Sequence, residues 1–158
     1  MKKNSKYFLL SLSLLLLTGA LSLNKLSNDL SSEALALLSE NNNEALLLSR
    51  QSVTSDPSNS YAWAVAGKVL LEIDRGNEAL NYFKKSLSLN PLLKESLYWG
   101  AQADILLDDV SSAEEKLNIL IRSCLGCDES KALKDLLKSY KKKQLKNNVI
   151  KVEKEPNG

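Results

Sequence analysis

The chain's only cysteines stand three apart, as Cys124-Leu125-Gly126-Cys127. Two thiols at this spacing admit four kinds of chemistry. Covalent haem attachment requires a histidine directly after the second cysteine. Here that residue is Asp128, and the chain holds no histidine at all. A zinc site requires four ligands, so two thiols leave it half built unless two chains share the metal. Thiol–disulfide exchange uses the same spacing, with a helix N-terminus lowering the pKa of the attacking thiol. Cys124 closes a helical stretch, where the dipole disfavours a thiolate, whereas Cys127 opens the next stretch and is the more acidic candidate. No strand pattern precedes the pair. The fourth reading is a structural disulfide, which an even cysteine count in an exported chain favours. That bridge is the leading reading, and its use is to fix the angle between two helices. A redox centre at Cys124 and Cys127 is the alternative.

The missing histidine has wider consequences. It removes Ser-His-Asp and Cys-His nucleophile activation, imidazole metal ligation and haem ligation by histidine. With no further site chemistry in view, no cofactor and no enzymatic activity are expected. Leu, Ser, Ala, Lys and Asn dominate a chain of 158 residues with six Gly and three Pro, which favours helices.

Lys2, Lys3 and Lys6 precede a charge-free run from Tyr7 to Leu23. A basic segment followed by an apolar one reads as a signal peptide over 1–22, with Thr18-Gly19-Ala20 and Ala20-Leu21-Ser22 offering small residues for cleavage. Left uncleaved, the run serves as a signal anchor at the lower limit of membrane-spanning length. Cleavage leaves 18 basic and 19 acidic residues, a net charge of −1. The expected location is exported and periplasmic, with anchoring to the inner membrane as the alternative.

The elements that position everything else emerge from an echo. Glu44-Ala45-Leu46 recurs as Glu78-Ala79-Leu80, and Asp56-Pro57 as Asn90-Pro91, both 34 residues on. Trp63, Ala66, Gly67 and Leu70 lie ahead of the second copy, and Ala79, Phe83 and Pro91 within it. This pattern resembles the tetratricopeptide repeat, whose signature W-x2-L-G-x2-Y, A-x3-F and P recurs every 34 residues. Ala66 and Leu70 depart from its Leu and Tyr. Leu97, Gly100-Ala101, Ala113, Leu117 and Leu120 form a third copy at the same step, with Asp104 at an apolar position and Leu125 in place of proline. Asp104 is expected to be partly exposed or paired with a nearby lysine. The first copy lacks Trp and Gly, and only Leu26, Leu30, Ala34 and Leu37-Leu38 maintain helical spacing. Ala132-Leu133, Leu136-Leu137 and Tyr140 read as the capping helix that a solenoid needs at its open end.

The resemblance implies an all-α fold, a short right-handed superhelix behind the signal or anchor segment. The array spans 26–144, with repeats at about 26–59, 60–93 and 94–127 and a cap at 128–144. Residues 145–158 are expected to be a disordered tail. The resemblance also implies a non-enzymatic interaction module that holds a peptide or partner protein on its concave face. Carried over position by position, that face comprises Tyr61, Ala64, Lys68 and Leu71 in the second repeat. In the third it comprises Glu95, Tyr98, Gln102 and Ile105. Some relatives clamp a C-terminal carboxylate with paired Lys and Asn. Ala64 stands where the first Lys would be, so that clamp is not expected. Exported relatives serve in envelope, cytochrome or secretion assembly, and short arrays self-associate.

Charge is divided along the chain. Residues 23–130 carry 9 basic and 16 acidic groups, a net of −7, and residues 131–158 carry 9 basic and 3 acidic, a net of +6. The acidic body and the absence of reading motifs disfavour nucleic acid. Lys141-Lys142-Lys143 on the cap is a candidate contact for anionic lipid or an acidic partner, as is an uncleaved N-terminus for the membrane.

Overall fold

The computed structural model describes residues 22–154, with side chains through 147. Residues 1–21, most of the expected signal segment, lie outside the described residues. Every regular element among the described residues is helical: α1 (22–36), a short 3-10 turn (Leu37–Ser39), α2 (Asn42–Ser55), α3 (Ser60–Glu72), α4 (Gly76–Leu89), α5 (Lys94–Leu106), α6 (Val110–Cys124) and α7 (Asp128–Lys154). Consecutive helices pack as antiparallel hairpins, α3 on α4 and α5 on α6; α2 joins the first hairpin to the second through α3, and the second stacks on the third through α4 and α5 and through α3 and α5. This is the helical solenoid that the 34-residue step implies.

The boundaries follow from local chemistry. Asn41, Asn59 and Asp109 cap α2, α3 and α6 by accepting hydrogen bonds from the first free backbone N–H groups. Asp56 and Asn90, each before a proline, take extended backbone (φ −143° and −139°) and close α2 and α4. Between the helices of a hairpin the chain passes through a left-handed residue, Asp74 (φ 60°) or Asp108 (φ 63°). The following N–H then reaches back to a helical carbonyl, Arg75 to Leu70 and Asp109 to Asp104, at 2.9 Å each. Such bonds satisfy carbonyls that the helix end leaves free.

Within the central hairpin, α3 and α4 meet where Gly67 faces Phe83. A Cβ on Gly67 would lie 2.7 Å from Phe83 Cε1, and Phe83 is fully buried. Glycine is required there for close approach. Phe83 also borders α5, since a Cβ on Gly100 would lie 3.4 Å from Phe83 Cβ. Trp63 packs differently: it is half-buried, its indole N–H donates to the Pro57 carbonyl at 2.9 Å, and its ring lies 5.4 Å from that of Tyr82.

The first hairpin uses other contacts. Leu26 is exposed, and the helix turns Ser27, Ser31 and Ala34 inward instead, all fully buried. Ser49 stands where Phe83 stands one period later and is also fully buried. The Ser52 hydroxyl donates to the Ser27 carbonyl at 2.7 Å and lies 2.7 Å from the Ser31 hydroxyl, while Asn59 donates to Ser27 Oγ at 3.0 Å. The same serine-to-carbonyl bond joins Ser86 to Ser60. Ser52 to Ser86 is the full step of 34, but Ser27 to Ser60 is 33. Helix α1 is therefore set one residue out of register, which brings Ala34 to the place of Gly67. Ser49, in the place of the large aromatic residue, donates to the Leu46 carbonyl of its own helix at 3.0 Å, and the bonds among Ser27, Ser31 and Ser52 remove the cost of burying those hydroxyls.

In the third hairpin Asp104 is buried (3% exposed), and Lys116 Nζ reaches it at 2.6 Å. Of the two expected outcomes, pairing holds and partial exposure does not. Beyond it, α7 covers α5 and α6 with Leu133 and Leu137. This helix continues to Lys154, well past the expected end at 144. Residues 145–154 are helical where a disordered tail was expected, because no Gly or Pro interrupts the chain before Pro156.

Two predictions follow the packing. Gly67→Ala is expected to cost about 1–3 kcal/mol by overpacking against the Phe83 ring. Gly100→Ala is expected to cost less, since its nearest neighbour is the flexible end of Lys116 at 3.3 Å. Denaturant melts of both variants check the order. For Asp104, burial raises the carboxyl pKa above its usual 3.8 and Lys116 pulls against that rise. The folded state thus holds this proton more tightly than the unfolded chain. The group's contribution to stability is full below 3.8 and declines as pH rises through the folded value. Lys116→Met removes the opposing cation and is expected to cost about 2 kcal/mol near neutrality, below the 3–5 kcal/mol of fully buried pairs because the lysine reaches solvent. The cost is expected to shrink toward pH 4 and to be largely recovered in the Asp104→Asn, Lys116→Met double variant.

Candidate functional site

Stacking places α3 and α5 side by side, and α7 lies against α5. The first helices of the hairpins and the cap together form one face of the array. An open pocket of about 590 Å3 lies on it, around the C-terminal ends of α3 and α5 and the middle of α7. Its apolar lining comes from Leu71 of α3, Ile105 and Leu106 of α5, and Leu136 of α7. Around it stand Lys68 and Glu72, joined as an ion pair, and the turn aspartates Asp74 and Asp108. Tyr140 of α7 donates its hydroxyl to Asp108, and Gln144 bonds the Tyr140 oxygen at 2.8 Å. The Asp108 carboxylate raises the pKa of the Tyr140 phenol by accepting that bond, so the tyrosine remains a donor. Gln102 completes the lining, and its Oε1 is the one buried side-chain polar atom without a partner among the described residues.

The eight residues expected on the concave face are divided by the structure. Lys68, Leu71, Gln102 and Ile105 line the pocket. Ala64 is fully buried and presents nothing to a partner. Position 64 is turned into the array because α3 is apolar nearly all round, with Ala62, Val65, Ala66 and Val69 also buried. Tyr61 is half-buried against Val65, Val69 and the first hairpin. Its phenol pKa is raised, first by burial and then by the Glu95 carboxylate, which places Tyr61 and Glu95 within electrostatic reach. Tyr98 is half-buried and packs against the Leu97–Ala101 cluster. The two tyrosines thus give part of their surface to the core and lie outside the pocket.

Glu72, Asp74, Leu106, Asp108, Leu136 and Tyr140 were not expected at the site. A signal for two of them exists in the sequence, since Asp74 and Asp108 recur one full period apart. Leu136 and Tyr140 were legible as cap residues; they are half-buried against the core that Leu133 and Leu137 complete, and their remaining surface lines the pocket.

Cys124 and Cys127 are joined as a disulfide with Cα atoms 5.5 Å apart, linking the end of α6 to the start of α7. The intervening Leu125 takes a left-handed backbone (φ 38°) and is 92% exposed. The bridge lies away from the pocket lining.

No family model matches the chain, and no curated protein matches it either. Solved structures do. The second tetratricopeptide domain of Spaghetti (RPAP3), bound to the HSP90 peptide SRMEEVD, is similar over 62% of this chain and 92% of that one, at 13% identity and a TM-score of 0.57. The Hsp90 co-chaperone Cns1 from Saccharomyces cerevisiae is similar over 84% of this chain at 14% identity and a TM-score of 0.68, and the chain spans 44% of its length. The type III secretion translocator chaperone SycD of Yersinia enterocolitica is similar over 84% of this chain and 96% of that one, at 16% identity and a TM-score of 0.62. The chain has the fold of the tetratricopeptide-repeat proteins.

The position of the bridge generates a prediction. Closing a four-residue loop removes little unfolded-chain entropy, so a Cys124→Ser, Cys127→Ser variant is expected to lose about 2 kcal/mol or less. It is expected to keep its helical signal and its partner binding. Circular dichroism melts and a binding assay on the oxidised parent and the variant measure both.

Proposed function

We propose that this chain is a non-enzymatic scaffold that holds a segment of a partner protein against α3, α5 and α7. The observation that carries this reading is the open apolar-floored pocket on the face formed by the first helices of the hairpins and the cap. An apolar floor with a few polar groups around it is the composition of a binding site, and the solenoid presents it on rigid helices. A similar fold holds a peptide in Spaghetti and belongs to a secretion chaperone in SycD, which supports the same use here.

Export is part of the proposal, supported by the basic N-terminus and the charge-free run to Leu23. Work in assembly of an envelope or cytochrome complex accords with that location. Among the described residues no helix is long and apolar enough to cross a membrane, so membrane attachment would come from the uncleaved segment or from the lysines of α7.

Photo-reactive residues placed singly at Lys68 and Tyr98, and at Ser88 and Glu115 on the second helices, test the reading in native cells. Crosslinks to the same partner are expected from 68 and 98 and not from 88 and 115. Capture from 88 or 115 alone would move the interface to the convex face. Mass spectrometry of the purified protein is expected to lack residues 1–20 or 1–22, and an intact Met1 in the membrane fraction would replace the soluble form with the anchored one.

A further inference from the structure

The pocket combines an apolar lining with an uneven charge. Among the described residues the one cationic group of the lining is Lys68, and that lysine is paired with Glu72. Asp74 and Asp108 add two carboxylates, giving one base against three acids. Both aspartates sit in the left-handed turn where glycine would be free of strain. Aspartate tolerates that conformation at a cost glycine avoids, and the chain accepts the cost twice, one period apart, on the same pocket. The carbonyl ends of α3 and α5 reach the same region and carry the negative pole of each helix. Gln102 Oε1, buried and without a partner, is an acceptor as well. Among the described residues, the polar groups here that are not already neutralised accept hydrogen bonds or attract a cation, except the Gln102 amide N–H groups and the Tyr140 hydroxyl, which Asp108 already engages.

The geometry points to a partner segment in which a lysine or arginine stands beside an apolar side chain, its aliphatic stem along Leu71, Ile105 and Leu136 and its cationic head at Asp74 and Asp108. Long cationic side chains bury their stems on apolar surface while the charge stays at the wet rim. An acidic peptide such as SRMEEVD, which Spaghetti holds, meets the wrong charge in this pocket. This inference rests on the concave-face reading above.

The test uses the full mature chain and two labelled synthetic peptides of equal length, one of leucine and lysine and one of leucine and glutamate. Fluorescence anisotropy is expected to show binding of the lysine peptide and little of the glutamate one. Asp74→Asn with Asp108→Asn keeps the turn conformation and the acceptor for Tyr140 while removing both charges. That double variant is expected to weaken lysine-peptide binding about five- to tenfold, as two partly exposed ion pairs should. A charge-matched control, Asp29→Asn with Glu33→Gln on the exposed side of α1, is expected to bind as the parent does. Equal binding of both peptides, or equal losses in control and double variant, would overturn the cation pocket. Asp74→Gly separates folding from binding: it is expected to raise the melting temperature and still weaken the lysine peptide, and unchanged binding would count against Asp74. Crosslinks from Lys68 and Tyr98 to a partner segment of acidic or neutral sequence would leave the concave-face reading standing and sink this one. Crosslinks from the convex face alone would remove both.

Discussion

Phe83 is the contact on which the rest of the array depends. Its ring lies against Gly67 of α3, and its Cβ is within van der Waals range of a side chain at Gly100 of α5. The Ser96 hydroxyl of α5 also bonds the Phe83 carbonyl. One buried side chain of α4 thereby sets the separation within its own hairpin and the seating of the next hairpin on it. At Gly67 only glycine leaves room for the ring, because α3 cannot stand farther off without opening a void. The angle between α3 and α5 determines how Leu71 and Ile105 converge, so the pocket is a distant consequence of that aromatic ring.

The outer hairpins reach the same geometry by other means. The first uses serines that bond to one another and to the Ser27 carbonyl. The third accepts a carboxylate at an apolar position and neutralises it with Lys116. Each substitution is tolerable only because its polar atoms are satisfied, since a buried polar group without a partner costs more than the bond it would make. Repeat arrays permit this variety because every hairpin needs to match only its immediate neighbours.

Helix α7 has two roles. Leu133 and Leu137 cover the apolar end of the last hairpin, while Leu136 and Tyr140, on the adjoining side of the same helix, wall the pocket. The disulfide between Cys124 and Cys127 ties its first turn to α6. Ion pairs from Lys94 to Glu129 and from Lys141 to Glu114 hold it along its length. These exposed pairs add little stability individually. Together they act on orientation, and a wall of the site must be oriented.

The sequence alone established the helical solenoid, because Trp63, Gly67, Ala79, Phe83 and Pro91 fall at the spacing of a 34-residue helical-hairpin repeat. It determined the cap in the same way, through a helical stripe. The register of α1 was not legible: Ser27 and Ser31 look like surface residues until Ser52 and Asn59 are seen to satisfy them across two helices. The fate of Asp104 depended on Lys116, twelve residues away and on another helix. The tyrosines at 61 and 98 share a helical face with Lys68 and Gln102, yet the first half of that face packs on neighbouring clusters and the second half lines the pocket. Asp74, Asp108 and Leu136 became a site only when stacking brought the turns of two hairpins beside the middle of α7. Periodicity records which side of a helix is buried, whereas the meeting of residues from different helices depends on interaxial angles that packing alone decides.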